Sequence, residues 1–181
     1  MDRRFKLREK TSQSHAALEG LIGAFDTIDD YHRYLRGMHS FRIPLEAWLS
    51  GLTWPPVFGS WRPVMIGAAL TADMADLSLQ PHSMTDDCAP STDPDSVFGT
   101  LYVLEGSMLG AKVLSSRART LGLSESFGAR HLGVQTRTPA NWRMFLAILE
   151  DSAPFDLDDA SHAANRAFHA ARSAFSNMVE A

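Results

Sequence analysis

The chain has almost no cysteine and no long apolar run, and both shortages limit what it can be. Its 181 residues include one cysteine, Cys88, which cannot form an internal disulfide, so we predict a reducing, cytoplasmic setting. No uninterrupted apolar stretch approaches the roughly 20 residues of a membrane span, which predicts no membrane partner. The charged start MDRRFKLREK lacks a following apolar core and predicts no signal peptide.

Patterns typical of several other protein classes are also missing. There is no strand-like alternation of apolar residues and no dense basic run interleaved with aromatics, which argues against a β fold and a nucleic-acid partner. There is no G-x-G-x-x-G fingerprint for a nicotinamide dinucleotide. With 45% hydrophobic and 21% charged residues, the chain has the composition of a globular protein. We predict an all-α fold, one compact multi-helix domain over residues 1–181.

Capping residues, prolines and glycines divide the chain into helices. The predicted helices span about 3–20, from Thr27 to about Ser50 with Pro44 inside, about 61–79 after a Ser60 cap, from Asp93–Pro94 to near Gly122, from Thr138–Pro139 to about Asp151, and from Asp156 to about Met178. A short segment near 124–131 precedes the fifth of these. Four aromatic residues at helical spacings are predicted to lie in the core, namely Phe127, Phe145, Phe168 and Phe175.

The net charge of −4 is unevenly distributed. Residues 112–143 carry six cations against Glu125 alone, and residues 73–95 carry six aspartates and no cation. This polarity could steer an acidic partner to one side of the protein. Ordinary solvated helix faces would give the same pattern.

Two glycines in the stretch LYVLEGSMLGAKVL (101–114) are the most informative feature of the sequence. Each glycine inside a helix costs about 1 kcal/mol relative to alanine. Gly106 and Gly110 would share one face, one turn apart, and leave a strip of bare backbone. Something flat could lie against this strip, either another helix or a planar cofactor.

A second feature is the histidine of the first predicted helix. His15 follows Arg8 by seven residues and precedes Glu19 by four, so helical periodicity places the three side chains on one face. A neutral imidazole can bind a metal through one nitrogen while the other donates to an acceptor. From the first helix alone, a surface or half-buried histidine with no ligand is the favoured interpretation.

Together these motifs resemble the haem oxygenases. A histidine on the first helix, a Gly-x-x-x-Gly helix about 90 residues later, SFGARHLG (126–133) and NWRMF (141–145) occur in that family's order. The last two motifs are similar to the bacterial branch. The similarity runs from about residue 5 to 150.

The resemblance implies a role for each candidate residue. His15 would be the axial ligand of the haem iron, with Glu19 as the acceptor that orients its ring. The other cofactor-binding residues, expected at the haem propionates, would be Arg8, Tyr102 and Arg143. The catalytic distal face would be Gly106, Ser107 and Gly110, on a helix that kinks at its glycines and passes over the ring.

The distal side of this sequence departs from the family pattern. Ser107 stands where mammalian members carry an aspartate, as in bacterial relatives that also lack that carboxylate. Met38 and Arg42 stand where a bacterial relative has a Gln and a His, and Arg42 could replace one of these two donors. His131 would support the distal pocket through hydrogen bonds.

The activity that the resemblance implies is oxidative ring opening of haem to biliverdin, carbon monoxide and ferrous iron. Haem would be both substrate and cofactor, and electrons would come from an external donor such as ferredoxin or a flavin reductase. Two alternatives stay open, a non-catalytic haem or bilin carrier of the same fold and a helical module that binds no haem.

Overall fold

The computed structural model describes residues 2–82 and 89–176, and these form eight α-helices and one short 3-10 helix. The helices are α1 (Arg3–Ile22), α2 (Ile28–Gly51), the 3-10 turn Pro56–Phe58, α3 (Gly67–Asp76), α4 (Pro94–Gly106), α5 (Met108–Thr120), α6 (Arg130–Arg137), α7 (Pro139–Asp151) and α8 (Leu157–Ser176). The described residues contain no named strand, only isolated bridges at Ser124. The predicted all-α fold is confirmed. Cys88 lies outside the described residues.

Helix α8 lies at the centre and contacts α1, α2 and α4. Its buried face consists mostly of alanine, with Phe168 and Phe175 near its C-terminal end, so neighbouring backbones come close. At Gly99 of α4, an added Cβ would lie 1.9 Å from the carbonyl oxygen of Ala160, which makes glycine necessary there.

Helices α1 and α4 run in the same direction along α8. On α1, Lys10 pairs with Asp158 at 2.8 Å, and Ser14 donates to Asn165 at 2.6 Å further along both helices. Arg3 at the start of α1 and Phe98 near the start of α4 both contact the ring of Phe155, and Thr11 lies beside Tyr102 further along both helices. Helices α1 and α4 are therefore parallel.

Most predicted helix starts are confirmed. Thr27 and Asp30 form a capping box at the start of α2, and the Asp93 carboxylate accepts from the Ser96 amide at 2.8 Å at the start of α4. Helix α7 begins at Pro139 and ends at Asp151, as predicted. Asp156 accepts from two amides in the first turn of α8, whose predicted end at Met178 lies outside the described residues.

The prediction of a third helix from residue 61 is wrong, because α3 begins only at Gly67. The carboxylate of Glu46 on α2 accepts hydrogen bonds from the amides of Ile66 and Gly67, at 2.9 and 2.7 Å. It caps α3 from a distance, in place of Ser60. The amide of Val64 donates to Glu105 on α4 at 2.7 Å. The backbone before α3 is therefore bonded to side chains of α2 and α4 and does not form a helix.

The predicted helix from Asp93 to near Gly122 consists of two helices. Helix α4 ends at Gly106, Ser107 is a turn residue, and α5 begins at Met108. This break adjoins Gly106, in agreement with the kink that the resemblance implied. Helix α6 was not predicted as a helix.

Two other sequence-based expectations change. Arg130 of the basic segment pairs with Asp73 and Asp76 of the acidic segment, so the two segments do not form separate poles. Phe127 is 47% exposed and is not a core residue, whereas Phe145, Phe168 and Phe175 are buried.

Within the described residues, one helical stretch, Pro94–Thr120, is long and apolar enough to cross a membrane on length and composition alone. Buried in large part and interrupted at Ser107, it also fits the core helix of a globular protein, which passes the same test.

Candidate active site

The predicted site begins where α1 and α4 meet. Thr11 of α1 is buried, and the phenol of Tyr102 on α4 lies beside it and near Arg8. Burial raises the pKa of Tyr102, while the hydrogen bond with Thr11 and the charges of Arg8 and Arg4 act in the opposite direction. The hydroxyl therefore stays protonated near neutral pH and can donate a hydrogen bond.

His15 and Gly106 are each one turn beyond this contact. His15 follows Thr11 by four residues and Gly106 follows Tyr102 by four, on helices that are parallel. Measured along the helix axes, His15 on α1 and Gly106 on α4 therefore lie equally far, about one turn, beyond the Thr11–Tyr102 contact.

The imidazole of His15 has neighbours at Nδ1 and on its ring, but none at Nε2 among the described residues. Its side chain is 58% exposed, and Nδ1 lies 3.5 Å from Oε2 of Glu19. The ring edge contacts Phe168 of α8, at 5.7 Å between ring centroids. No described residue hydrogen-bonds Nε2. A neutral ring with its proton on Nδ1 would present an unoccupied Nε2 lone pair to a metal.

The glycine face is uncovered as well. An added Cβ at Gly106 would come no closer than 3.8 Å to the ring of Trp142, and one at Gly110 would meet nothing within 4 Å. Leu109 and Val113 share this face at helical spacing and are 65% and 57% exposed. Among the described residues, no helix packs on Gly110, so the helix-packing interpretation applies to Gly99 and not to this strip.

A cavity lies beyond the histidine along α1. It has a volume of about 440 Å³, and its lining includes Leu21 and Ile22 at the end of α1, six and seven residues after His15. Tyr34 and Phe175 line its wall, and an Asp30–Arg33 ion pair lies among its lining residues. The cavity therefore lies at the C-terminal end of α1, about two turns beyond the exposed imidazole.

The two arginines predicted at the propionates are exposed. Neither Arg8 nor Arg143 forms an ion pair or a side-chain hydrogen bond with another described residue. Arg143 directly follows Trp142, which contacts both Gly106 and the ring of Tyr102. Both cations are thus available to bind a carboxylate.

Arg42 is not the free distal donor that the sequence suggested. It is 2% exposed, and its guanidinium pairs with Glu46 at 2.9 Å and donates to the carbonyl oxygens of Val64 and Leu104. Met38 is also buried. Arg42 therefore joins α2, α4 and the segment before α3.

His131 is fully buried and occupied at both nitrogens. Nδ1 lies 2.8 Å from the buried carboxylate of Asp73, and Nε2 lies 3.2 Å from the hydroxyl of Tyr34. Burial lowers the pKa of His131, more than the hydrogen bond and charge of Asp73 raise it. The ring has no nitrogen left for iron, in keeping with a supporting role.

The sequence predicts exposed or loop positions for His32, His82, His162 and His169, and it makes His39 on α2 a weaker rival of His15 as the iron ligand. His82, His162 and His169 are exposed, and His32 and His39 are half-buried, so the expectation for His32 is wrong.

Sequence reasoning missed several buried polar residues of this region. Glu46, Asp73 and Glu105 accept backbone amide hydrogen bonds from other elements, and Gln135 donates to Ser107. Only the Arg42–Glu46 pair had a sequence signal, its i,i+4 spacing.

Comparisons with known proteins agree on one family. No family model matches the chain. The chain is 32% identical over 151 residues to the heme oxygenase PigA of Pseudomonas aeruginosa PAO1, covering 80% of this chain and 76% of that protein. It is 30% identical over 124 residues to a heme oxygenase of Xanthomonas campestris pv. campestris, covering 67% and 73% of the two proteins.

The fold is similar to that of the Neisseria meningitidis heme oxygenase in its NO- and CO-bound crystal structures. The TM-score is 0.78 at 22% identity, covering 98% of this chain and 92% of that one. This likeness shows the same fold, and the sequence identities above establish that the chain belongs to the haem oxygenase family.

Proposed function

We propose that this enzyme degrades haem by oxidative ring opening to biliverdin, carbon monoxide and ferrous iron, with the haem bound between His15 and the Gly106–Gly110 face. The observation that carries the proposal is the match between two uncovered surfaces. An imidazole with a free nitrogen and a strip of bare helical backbone lie at one level beyond the Thr11–Tyr102 contact.

The residues present fit a haem. A porphyrin is a flat apolar ring with two carboxylates at one edge. The uncovered Leu109 and Val113 offer apolar surface, and Arg8 and Arg143 offer cations that no described residue pairs. Exposed apolar residues gathered on one face indicate a missing binding partner.

In this proposal His15 holds the iron through Nε2, and Glu19 orients the ring from Nδ1. Arg8, Arg143 and the Tyr102 hydroxyl bind the propionates and so fix the rotation of the haem in its slot. The bound haem supplies both the iron at which oxygen is activated and the carbon that is oxidised.

The distal residues act mainly by restricting space. Gly106 and Gly110 would bring backbone instead of side chains to the haem, so no side chain at these two positions would cover the ring. The hydroxyl of Ser107 donates to the carbonyl of Leu104 at 2.7 Å, and no carboxylate lies within 106–111. Proton delivery by a strong side-chain acid is therefore not part of the proposal.

Electrons come from outside the chain, which has no dinucleotide fingerprint. We infer an external donor of the ferredoxin or flavin reductase class, a cytoplasmic setting without membrane or nucleic-acid partners, and one domain over residues 1–181.

A haem or bilin carrier is the second candidate. It is favoured by the absence of a free distal donor at three positions, since Ser107 and Arg42 are occupied within the protein and Met38 is buried.

The experiment adds haem to the purified protein and then supplies ferredoxin, its reductase and NADPH in air. Ring opening predicts a Soret band that appears on binding and decays as the broad red absorbance of biliverdin grows. A Soret band that persists through repeated reduction supports the carrier, and no Soret band on addition contradicts haem binding itself.

A further inference from the structure

The break between α4 and α5 is held by side chains from other helices. The carbonyl oxygen of Leu104 accepts hydrogen bonds from the hydroxyl of Ser107 at 2.7 Å and from Nη1 of Arg42 at 3.3 Å. A serine that bonds back to the carbonyl one turn earlier competes with the helical amide for that carbonyl. Here the Leu104 carbonyl also accepts from a second donor, Arg42 of α2.

The Ser107 hydroxyl is itself fixed from α6. Nε2 of Gln135 donates to Oγ of Ser107 at 3.2 Å, and Gln135 is 4% exposed. Because the hydroxyl proton is directed at Leu104, the Ser107 oxygen can accept from the amide. The result is a chain of hydrogen bonds from Gln135 through Ser107 to the Leu104 carbonyl, in which each bond polarises the next.

Glu105, which lies between Leu104 and Ser107, is also hydrogen-bonded to other parts of the protein. Glu105 is 2% exposed, and its carboxylate accepts from the Val64 amide at 2.7 Å and from Asn141 of α7 at 2.9 Å. Residues 104, 105 and 107 are thus bonded to four other parts of the protein, while Gly106 and Gly110 are left without close neighbours on their open face.

We propose that Gln135 is a positioning residue of this enzyme, which acts through Ser107 to fix the helix break and so the backbone of Gly106–Gly110. Arg42 is the second donor to the Leu104 carbonyl. The inference rests on the proposed function, which assigns that backbone to the haem. Packing alone does not account for Gln135, since a buried amide without its partner would be unfavourable at this position.

The first test measures hydrogen exchange in the haem-free protein. Gln135→Leu keeps the volume and removes the donor. Thr136→Val is the matched control, since Thr136 is the next residue on α6 and, among the described residues, its hydroxyl bonds only to Gly133 of the same helix, at 3.0 Å. A hydrogen bond contributes about 1 kcal/mol, so we expect about five-fold faster exchange of the amides of Met108–Ala111 in Gln135→Leu. Thr136→Val is expected to leave these amides unchanged.

A double-mutant cycle then tests the route through Ser107. In the Ser107→Ala background, Gln135→Leu is expected to have no further effect on exchange at 108–111, because the link is already lost. Equal exchange in Gln135→Leu and Thr136→Val, or an undiminished Gln135→Leu effect in the Ser107→Ala background, would overturn the proposal.

The second test uses the haem-bound protein and its biliverdin isomers, separated by chromatography after turnover. A shifted backbone at Gly106–Gly110 predicts a changed isomer ratio in Gln135→Leu and the wild-type ratio in Thr136→Val. Faster exchange with an unchanged ratio would refute the role toward haem. Failure of the wild-type protein to bind haem would refute the proposed function, and the exchange result would still report on the hydrogen-bond chain.

Discussion

His15 and His131 show how one residue type serves two purposes in the same small fold. His15 is 58% exposed, with one nitrogen near Glu19 and the other without a hydrogen bond from any described residue. His131 is fully buried, with Asp73 on one nitrogen and Tyr34 on the other. A metal ligand needs an unoccupied nitrogen, whereas a structural histidine is most stable when both nitrogens have partners.

The regions around the two histidines differ in the same way. The His15 region has uncovered glycine backbone, exposed Leu109 and unpaired arginines. The His131 region joins α2, α3 and α6, because Asp73 accepts from the amides of Arg130 and His131 as well as from the imidazole. Substitutions at the two histidines should therefore separate haem binding from stability.

The largest expected effect is on haem binding in His15→Ala. The imidazole-ligated spectrum should disappear, and haem affinity should fall by more than the roughly 10–100-fold that loss of an outer-shell partner costs at a metal site. Because the side chain is exposed, the free energy of unfolding should change by no more than about 0.5 kcal/mol. Haem titration followed by absorbance, with His162→Ala as an exposed histidine control on α8, measures the first effect. An unchanged spectrum would remove His15 from the site.

The converse variant, His131→Ala, should lose stability. It removes a hydrogen-bond donor from a carboxylate that is 0% exposed, and a hydrogen bond to a charged group contributes about 1.5–3 kcal/mol. Arg130 still bonds to Asp73, so the expected loss of unfolding free energy is about 2 kcal/mol. Urea unfolding measures it, with His169→Ala as control. The haem spectrum of the folded variant should keep its imidazole ligation, and its loss would mean that the two regions are not independent.

This contrast also shows what the sequence could predict. Caps and glycines follow local rules, so the starts of α2, α4, α7 and α8 were predictable. The start of α3 was not, because the group that caps it is Glu46, twenty residues earlier on another helix. The open glycine face was predictable from Gly106 and Gly110, whereas the partners that occupy Arg42 depend on packing between elements distant in sequence.

Acidification should affect the His131 region through a pKa that burial lowers. The unfolded chain has a histidine pKa of about 6.5, so below this pH it binds a proton at residue 131 that the folded protein does not. The contribution of His131 to stability is complete above about pH 6.5 and is lost as the pH falls towards the folded pKa. The free energy of unfolding should therefore decrease by up to about 1.4 kcal/mol per pH unit on going from pH 6.5 to 5.5.

His32 and His39 also have pKa values lowered by burial and contribute in the same direction. The comparison is therefore between the wild type and His131→Asn, which keeps the other two. Urea unfolding at pH 5.5, 6.5 and 7.5 measures how the free energy of unfolding depends on pH. This dependence should be weaker in His131→Asn than in the wild type. Equal slopes in the two proteins would show that His131 does not carry the pH dependence.

The smallest expected effect is at Glu19, which is proposed to orient the His15 ring. Its carboxylate lies 3.5 Å from Nδ1, further than a direct hydrogen bond, and its side chain is 71% exposed. Glu19→Gln keeps an acceptor and loses the charge, so haem affinity should fall by about 10-fold or less, the low end for an outer-shell partner. Glu9→Gln, an exposed position on the same helix, is the matched control for charge alone. If the two variants lose affinity equally, the effect is a general one of net charge and Glu19 has no orienting role. If only Glu19→Gln loses haem affinity, Glu19 orients the ring of His15, as Asp73 and Tyr34 orient the ring of His131.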